Sequence, residues 1–270
     1  MERTVNRARL AYAAPLLLAA AALLLGAGRS AAQTPPEPSA VAKECGEAKI
    51  AAAPLPNSAI ALQQRKSLKI LTIGASSAAV LGTGGRNGSA PLLERILERT
   101  IKGLDVEIIN RGFSGELAEA AAERIKIEVA LNHPDIVLWQ VGTNDAFAHV
   151  PVESFHLAVS NGVRWLKAHN VDVILVGLHF MKQLAKDPHY QAIRLSLARI
   201  STEENVMRIG RYEAMEVLAR TMSATGQPEQ QDFGLSEAGY NCMAQYVARS
   251  ITVGVFAKAP RRQPMPDPGQ

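Results

Sequence analysis

The sequence predicts an α/β domain built on a mostly parallel sheet with helices over both faces. Three observations point there. Short β-branched runs alternate with longer amphipathic segments. Several of those runs are apolar at every position, as strands buried on two sides require. Hydrophobic residues make up 47% of the 270, enough to fill one large core.

Residues 1–32 read as an export signal. Arg3, Arg7 and Arg9 precede an apolar stretch from Leu10 to Ala27, and Ser30-Ala31-Ala32 supplies small residues for cleavage. Cleavage after Ala32 is expected. An uncleaved anchor is the alternative, because the apolar stretch approaches spanning length. The leader also holds most of the formal net charge of +4, so the remainder is close to neutral and gives no electrostatic case for a nucleic-acid partner. The expected location is periplasmic or secreted, in a bacterium, with a mature protein that is not membrane-embedded.

Residues 33–62 are rich in Ala and Pro (Pro35, Pro36, Pro38, Pro54, Pro56), which favours an extended arm. The tail, residues 258–270, has four prolines and is expected to be loose. Residues 63–257 form the domain. Its first strand is expected over Leu68–Ile73 and a helix over about Ala90–Ile101. A second strand over Val106–Ile109 precedes a helix over about Leu117–Leu131, and Asp135–Val141 is the third strand. A helix over about Val152–Ala168 leads to a strand over Val171–Val176. Helices near Ala185–Glu204 and Arg211–Ala224 flank a short strand, Val206–Ile209, and a helix from Glu237 to about Val255 closes the domain.

In such sheets ligands bind where loops leave the carboxyl ends of the strands. Gly74-Ala75-Ser76-Ser77 follows the first strand and offers a serine hydroxyl. Asn110-Arg111-Gly112-Phe113-Ser114-Gly115-Glu116 follows the second, with glycines that expose backbone N–H groups. Gly142-Thr143-Asn144-Asp145 follows the third and supplies an amide side chain. A hydroxyl beside a backbone N–H and an Asn amide is the equipment for attacking an ester carbonyl and holding the resulting oxyanion. Taken singly, Ser76 also reads as a turn or capping residue, and Asn144 as a turn-former tying loops together. Arg111 and Glu116 read as loop charges, and Asp145 as a cap for the segment after it.

In this order and at these strand ends the pieces resemble the SGNH hydrolases, also called GDSL esterases and lipases, over roughly Leu68 to Val255. The most specific parts are Asn110-x-Gly112-x-x-Gly115 and Gly142-Thr143-Asn144-Asp145. The resemblance implies a flavodoxin-like three-layer α/β/α sandwich. It further implies Ser76 as nucleophile, the N–H groups of Ser76 and Gly115 as oxyanion donors, and Asn144 as the side-chain donor. Ala75 stands where the family's first block has Asp. The last block departs further: aligned on Leu235-Ser236, Gly234 occupies the place of the usual His and Gln231 that of the Asp.

A substitute base must lie on the same rim. His179, in Gly177-Leu178-His179 after the fourth strand, is placed for it; His149, after the Asn144 loop, is the second choice, and Asp232 lies near the lost position. Each also reads as an ordinary structural or surface group. The Gly-rich stretch Gly82–Gly88 lacks both the Gly-Lys-Ser/Thr ending and the dinucleotide spacing, and reads as a lip of the cleft rather than a phosphate loop. Two outcomes fit Cys45 and Cys242: one disulfide tying the arm to the last helix, or two buried thiols. Neither has metal-ligand spacing, and the reading calls for no metal and no cofactor.

The expected activity is therefore hydrolysis or transfer of an acyl ester, such as an O-acetyl group on a glycan or a small-molecule ester, through a serine nucleophile. The alternative is a non-catalytic module that keeps the cleft and binds an acylated glycan or a partner protein, as Gly234 and Gln231 favour.

Overall fold

The computed structural model describes residue 45, residues 50–74, residue 81, residues 91–224 and residues 237–257. All lie in one compact unit, residues 36–270. The leader, Ser76 and Ser77, the Gly82–Gly88 stretch, Gln231, Asp232, Gly234 and the tail lie outside the described residues.

Six strands form one sheet: β1 (Ile50–Ala51), β2 (Ser67–Gly74), β3 (Asp105–Gly112), β4 (Ile136–Gln140), β5 (Asp172–Val176) and β6 (Met207–Ile209), in the order β3-β2-β4-β5-β6-β1. All neighbours are parallel except β1, which pairs antiparallel with β6 through Ile50↔Ile209 and Ala51↔Arg208. The helices are α1 (Pro56–Arg65), α2 (Leu92–Thr100), α3 (Ala118–Asn132), α4 (Thr143–Phe147), α5 (Val152–Ala168), α6 (Pro188–Glu203), α7 (Arg211–Ala224) and α8 (Glu237–Phe256), with a 3-10 turn at Lys182–Leu184.

Period-two alternation splits the core into two layers. Leu68, Ile70, Ile136, Leu138, Ile174 and Val176 face one way and pack with α2 and α8. Leu71, Ile73, Val137, Trp139, Val173 and Leu175 face the other and pack with α3, α5 and α6. The α/β/α sandwich expected from the sequence is therefore the observed architecture.

The arm is where expectation and structure differ most. Its described part forms β1 and α1 rather than an extended linker. Pro56 stands at the start of α1, where its missing N–H costs nothing. Across the sheet, Asp172 at the head of β5 accepts from the Ser58 N–H (2.8 Å), the Ser58 hydroxyl (2.6 Å) and the Asn57 amide (3.1 Å), capping α1 from outside its own sequence. Burial holds the Asp172 carboxyl above its ordinary pKa, against the opposing pull of those donors. Leu55 is buried, and its N–H donates to the Gly254 carbonyl in α8 at 3.0 Å. Cys45 and Cys242 are joined by a disulfide that fastens the arm to α8. No described helix is long and apolar enough to cross a membrane.

Candidate functional site

The chain passes from β2 outward to β3 and then back to β4 on the other side of β2, so the carboxyl ends of these three strands meet where the winding reverses. Gly74 ends β2 with φ +105°, a conformation open to glycine, and a Cβ there would sit 1.9 Å from the Gln140 carbonyl oxygen. Only glycine lets β2 and β4 close at this level. The Gly74 carbonyl in turn accepts from the Phe113 N–H at 3.1 Å, which laces the end of β3 to the same point.

The second motif is partly strand. Asn110, Arg111 and Gly112 continue β3 in register with Thr72, Ile73 and Gly74, instead of beginning a loop. The Asn110 side-chain oxygen accepts from the Thr72 hydroxyl (3.3 Å) and the Gly112 N–H (3.0 Å), fixing the strand's exit. A turn follows, with Glu116 N–H donating to the Phe113 carbonyl at 3.3 Å and Gly115 at φ +82°. The exposed Gly115 N–H donates to no acceptor among the described residues. Glu116 is no free loop charge. Its buried carboxylate takes two hydrogen bonds from Arg124 in α3, at 2.7 and 2.6 Å, and that bonding raises the Arg124 pKa.

The third motif opens the short helix α4. Asn144 is half-buried, and its amide donates to the Glu116 carbonyl at 2.9 Å, so the side chain expected at the oxyanion is physically joined to the turn that carries Gly115. Asp145 caps a helix, but not the one expected. Its carboxylate accepts from the Ala118 N–H at 2.8 Å and so serves the start of α3, whose own N-cap, Leu117, has no side-chain acceptor. Burial raises the Asp145 pKa, with backbone N–H bonds pulling the other way. Two consecutive residues thus grip one stretch, Asn144 by a carbonyl and Asp145 by an N–H. No local pattern announces either contact, because the partners lie 28 and 27 residues away.

His179 reaches the same rim with its backbone alone. Its N–H donates to the Thr143 hydroxyl at 3.0 Å and its carbonyl accepts from Tyr190 at 2.5 Å. The residue is 4% exposed, and neither ring nitrogen has a hydrogen-bond partner among the described residues. Burial, followed by the positive charge of fully buried Arg211, lowers its pKa to about 4. His149 is exposed and lies against His189, ring centroids 5.0 Å apart.

The buried ring has a measurable consequence. In the unfolded chain a histidine binds its proton near pH 6.5, whereas folded His179 does so only near 4. As pH falls the unfolded state therefore protonates first. The contribution is fully present above about pH 6.5 and is lost as pH drops toward 4, by about 3 kcal/mol through this one group. Urea unfolding at pH 7 and pH 4 should show that decline, and His179→Phe should flatten it. An unaltered slope in the variant would assign the effect to other groups.

The structure thus joins Asn144 to the turn that carries Gly115, ties the His179 backbone to Thr143, and buries the His179 ring. Comparison with known proteins agrees with this architecture. The model of the Non-GDSL lipase-like family matches residues 41–257. Esterase TesA of Pseudomonas aeruginosa is 24% identical over 116 residues, 43% of this chain and 57% of that protein. The chain therefore spans little more than half the length of that curated relative. Among solved structures, a lipase/acylhydrolase from Enterococcus faecalis gives a TM-score of 0.53 at 22% identity, covering 68% of this chain and 95% of its own. A two-domain esterase active on acetylated mannans gives 0.60 at 19% identity, covering 83% of this chain and 62% of its own. At these identities the likeness is one of fold.

Proposed function

We propose, from the premise that this chain belongs to the Non-GDSL lipase-like family, that it is an exported enzyme that hydrolyses or transfers acyl esters through Ser76. The observation that carries the reading is the 2.9 Å bond from Asn144 to the Glu116 carbonyl, which sets an amide donor and the Gly115 N–H on one rim at the reversal point of the sheet. In the proposed reaction the Ser76 hydroxyl oxygen attacks the ester carbonyl carbon. The carbonyl oxygen takes up negative charge against Gly115 N–H and the Asn144 amide. Collapse breaks the bond to the alcohol, which departs with the serine proton, and leaves an acyl-enzyme. Water, or an acceptor hydroxyl, then releases the acyl group and restores the serine.

His179 is the candidate base by its place in the sequence, after β5, although its buried ring would have to turn toward the rim to serve. With a pKa near 4 it is neutral at working pH but a weak proton acceptor, so turnover is expected to be slow. An O-acetyl group on a glycan is the proposed substrate class, supported by the fold-level neighbour active on acetylated mannans. The Cys45–Cys242 disulfide supports a periplasmic or secreted location, since such bonds persist in oxidising compartments.

The second reading, a binding module without turnover, is favoured by Gly234 and Gln231 at the family's base and acid positions. A serine-directed fluorophosphonate followed by intact-mass measurement separates the two. The enzyme reading expects one adduct on wild type and none on Ser76→Ala. Labelling that survives the substitution removes Ser76 as nucleophile, and an unlabelled wild type favours the binding module.

A further inference from the structure

A pocket of about 700 Å³ opens between the carboxyl end of β3 and the first turns of α3, within the 300–1,000 Å³ range of small-ligand sites. Gly115 and Glu116 form part of its wall, so an occupant would lie directly against the turn proposed to hold the oxyanion. Three features of the lining define the occupant.

The first is Phe113, whose side chain stands 67% exposed at the pocket edge while its N–H is tied to Gly74. An aromatic ring on a fixed backbone and facing water is a ready platform for a flat apolar surface. The second is charge. Arg111 is matched by Glu128 at 3.0 Å, and Arg124 by Glu116 at 2.6 Å. Both guanidiniums are compensated, so a phosphate or carboxylate would find no free cation. The third is a mixed wall: most of its surface is apolar, supplied in part by Phe113, Leu117 and Ala120, and the charged ends of Arg111, Glu116, Glu119 and Arg124 give it polar points. A ligand apolar all round would leave those polar points without partners, whereas one with an apolar face and a polar edge would pair with them. An uncharged ring with one apolar face and many hydroxyls meets all three conditions.

We propose that this pocket is a sugar subsite. Phe113 stacks on the apolar face of a pyranose ring, while Glu119 accepts from, and the exposed Arg111 donates to, its hydroxyls. A polysaccharide held in this way presents an acetyl group on the same or the adjoining residue to the Gly115–Asn144 rim. The catalytic consequence rests on the esterase reading; the binding does not.

The experiment uses mannohexaose and xylohexaose without acetyl groups, titrated calorimetrically into wild type, Phe113→Ala and Phe113→Trp. Binding of either sugar that weakens at least tenfold in Phe113→Ala and returns in Phe113→Trp is the expected result. No binding of either sugar at millimolar concentration, or binding indifferent to Phe113→Ala, overturns the subsite. With the acetylated hexasaccharides, the ratio of kcat/KM on sugar ester to that on p-nitrophenyl acetate should fall at least tenfold in Phe113→Ala. An unchanged ratio also overturns it. A wild type that binds the sugars through Phe113 yet turns over no ester sinks the esterase reading alone.

Discussion

Asn144→Ala should lower kcat on p-nitrophenyl acetate about 100- to 1,000-fold, the loss typical of removing one oxyanion donor, or about 3–4 kcal/mol of transition-state stabilisation. The side chain carries two N–H donors. One is engaged by the Glu116 carbonyl at 2.9 Å, and the proposed role assigns the other to the reacting oxygen. A residue that only tied the two loops together would forfeit about 1 kcal/mol of folding stability on truncation, with a rate loss of similar size. The two roles therefore separate when urea unfolding and steady-state rates are measured on the same preparation. A hundredfold rate deficit with a nearly unmoved unfolding midpoint supports the donor role. A rate deficit no larger than the stability deficit would leave Asn144 as a loop tie.

The second large effect concerns the covalent link between the chain's ends. Cys45 and Cys242 are 197 residues apart, and closing so long a loop removes conformational entropy from the unfolded chain worth about 5 kcal/mol in the chain-entropy model. Residual structure in the reduced chain trims that figure, so Cys45→Ser with Cys242→Ser should lose about 3–5 kcal/mol by urea unfolding. Wild type treated with dithiothreitol should follow the double variant. Both sulfurs lie in the interior, and the Tyr246 hydroxyl, whose pKa burial raises to about 12, donates to the Cys45 carbonyl. Reduction therefore uncouples a packed anchor rather than a surface tether. Identical midpoints with and without reductant would show that noncovalent packing alone holds the arm.

Legibility in the sequence follows burial. Strands β4 and β5 are buried at every position, and α5 sits where amphipathic spacing puts it, over Val152–Ala168. Strand β3 extends past its apolar run because it is an edge: its last three residues, Asn110, Arg111 and Gly112, are exposed, and the hydrophobic signal fails while the pairing with β2 continues. The equal length of its partner was the missing clue. The arm's Ala and Pro content reads as linker, yet Pro56 stands at a helix start and is followed by Ser58 and Ala61, which the fold buries. At the site, Gly115 and Asn144 are readable as motif members, and the structure bonds Asn144 to Glu116, the residue after Gly115. Glu116 and Asp145 were not readable for what they do, because each acts on a partner that only the fold delivers. The orientation of the His179 ring was equally invisible: position after a strand places the backbone at the rim but says nothing of which way the side chain turns.

The meeting of Leu55 with Gly254 in α8 has a consequence for biosynthesis. One helical layer over the sheet is completed by residues 237–256, which follow in sequence every strand they cover and the arm they clasp. Until that helix is made, the apolar face formed by Ile70, Leu138 and Ile174 is covered only in part, by α2 and α1. A chain of this design cannot close its core on that side before α8 is synthesised.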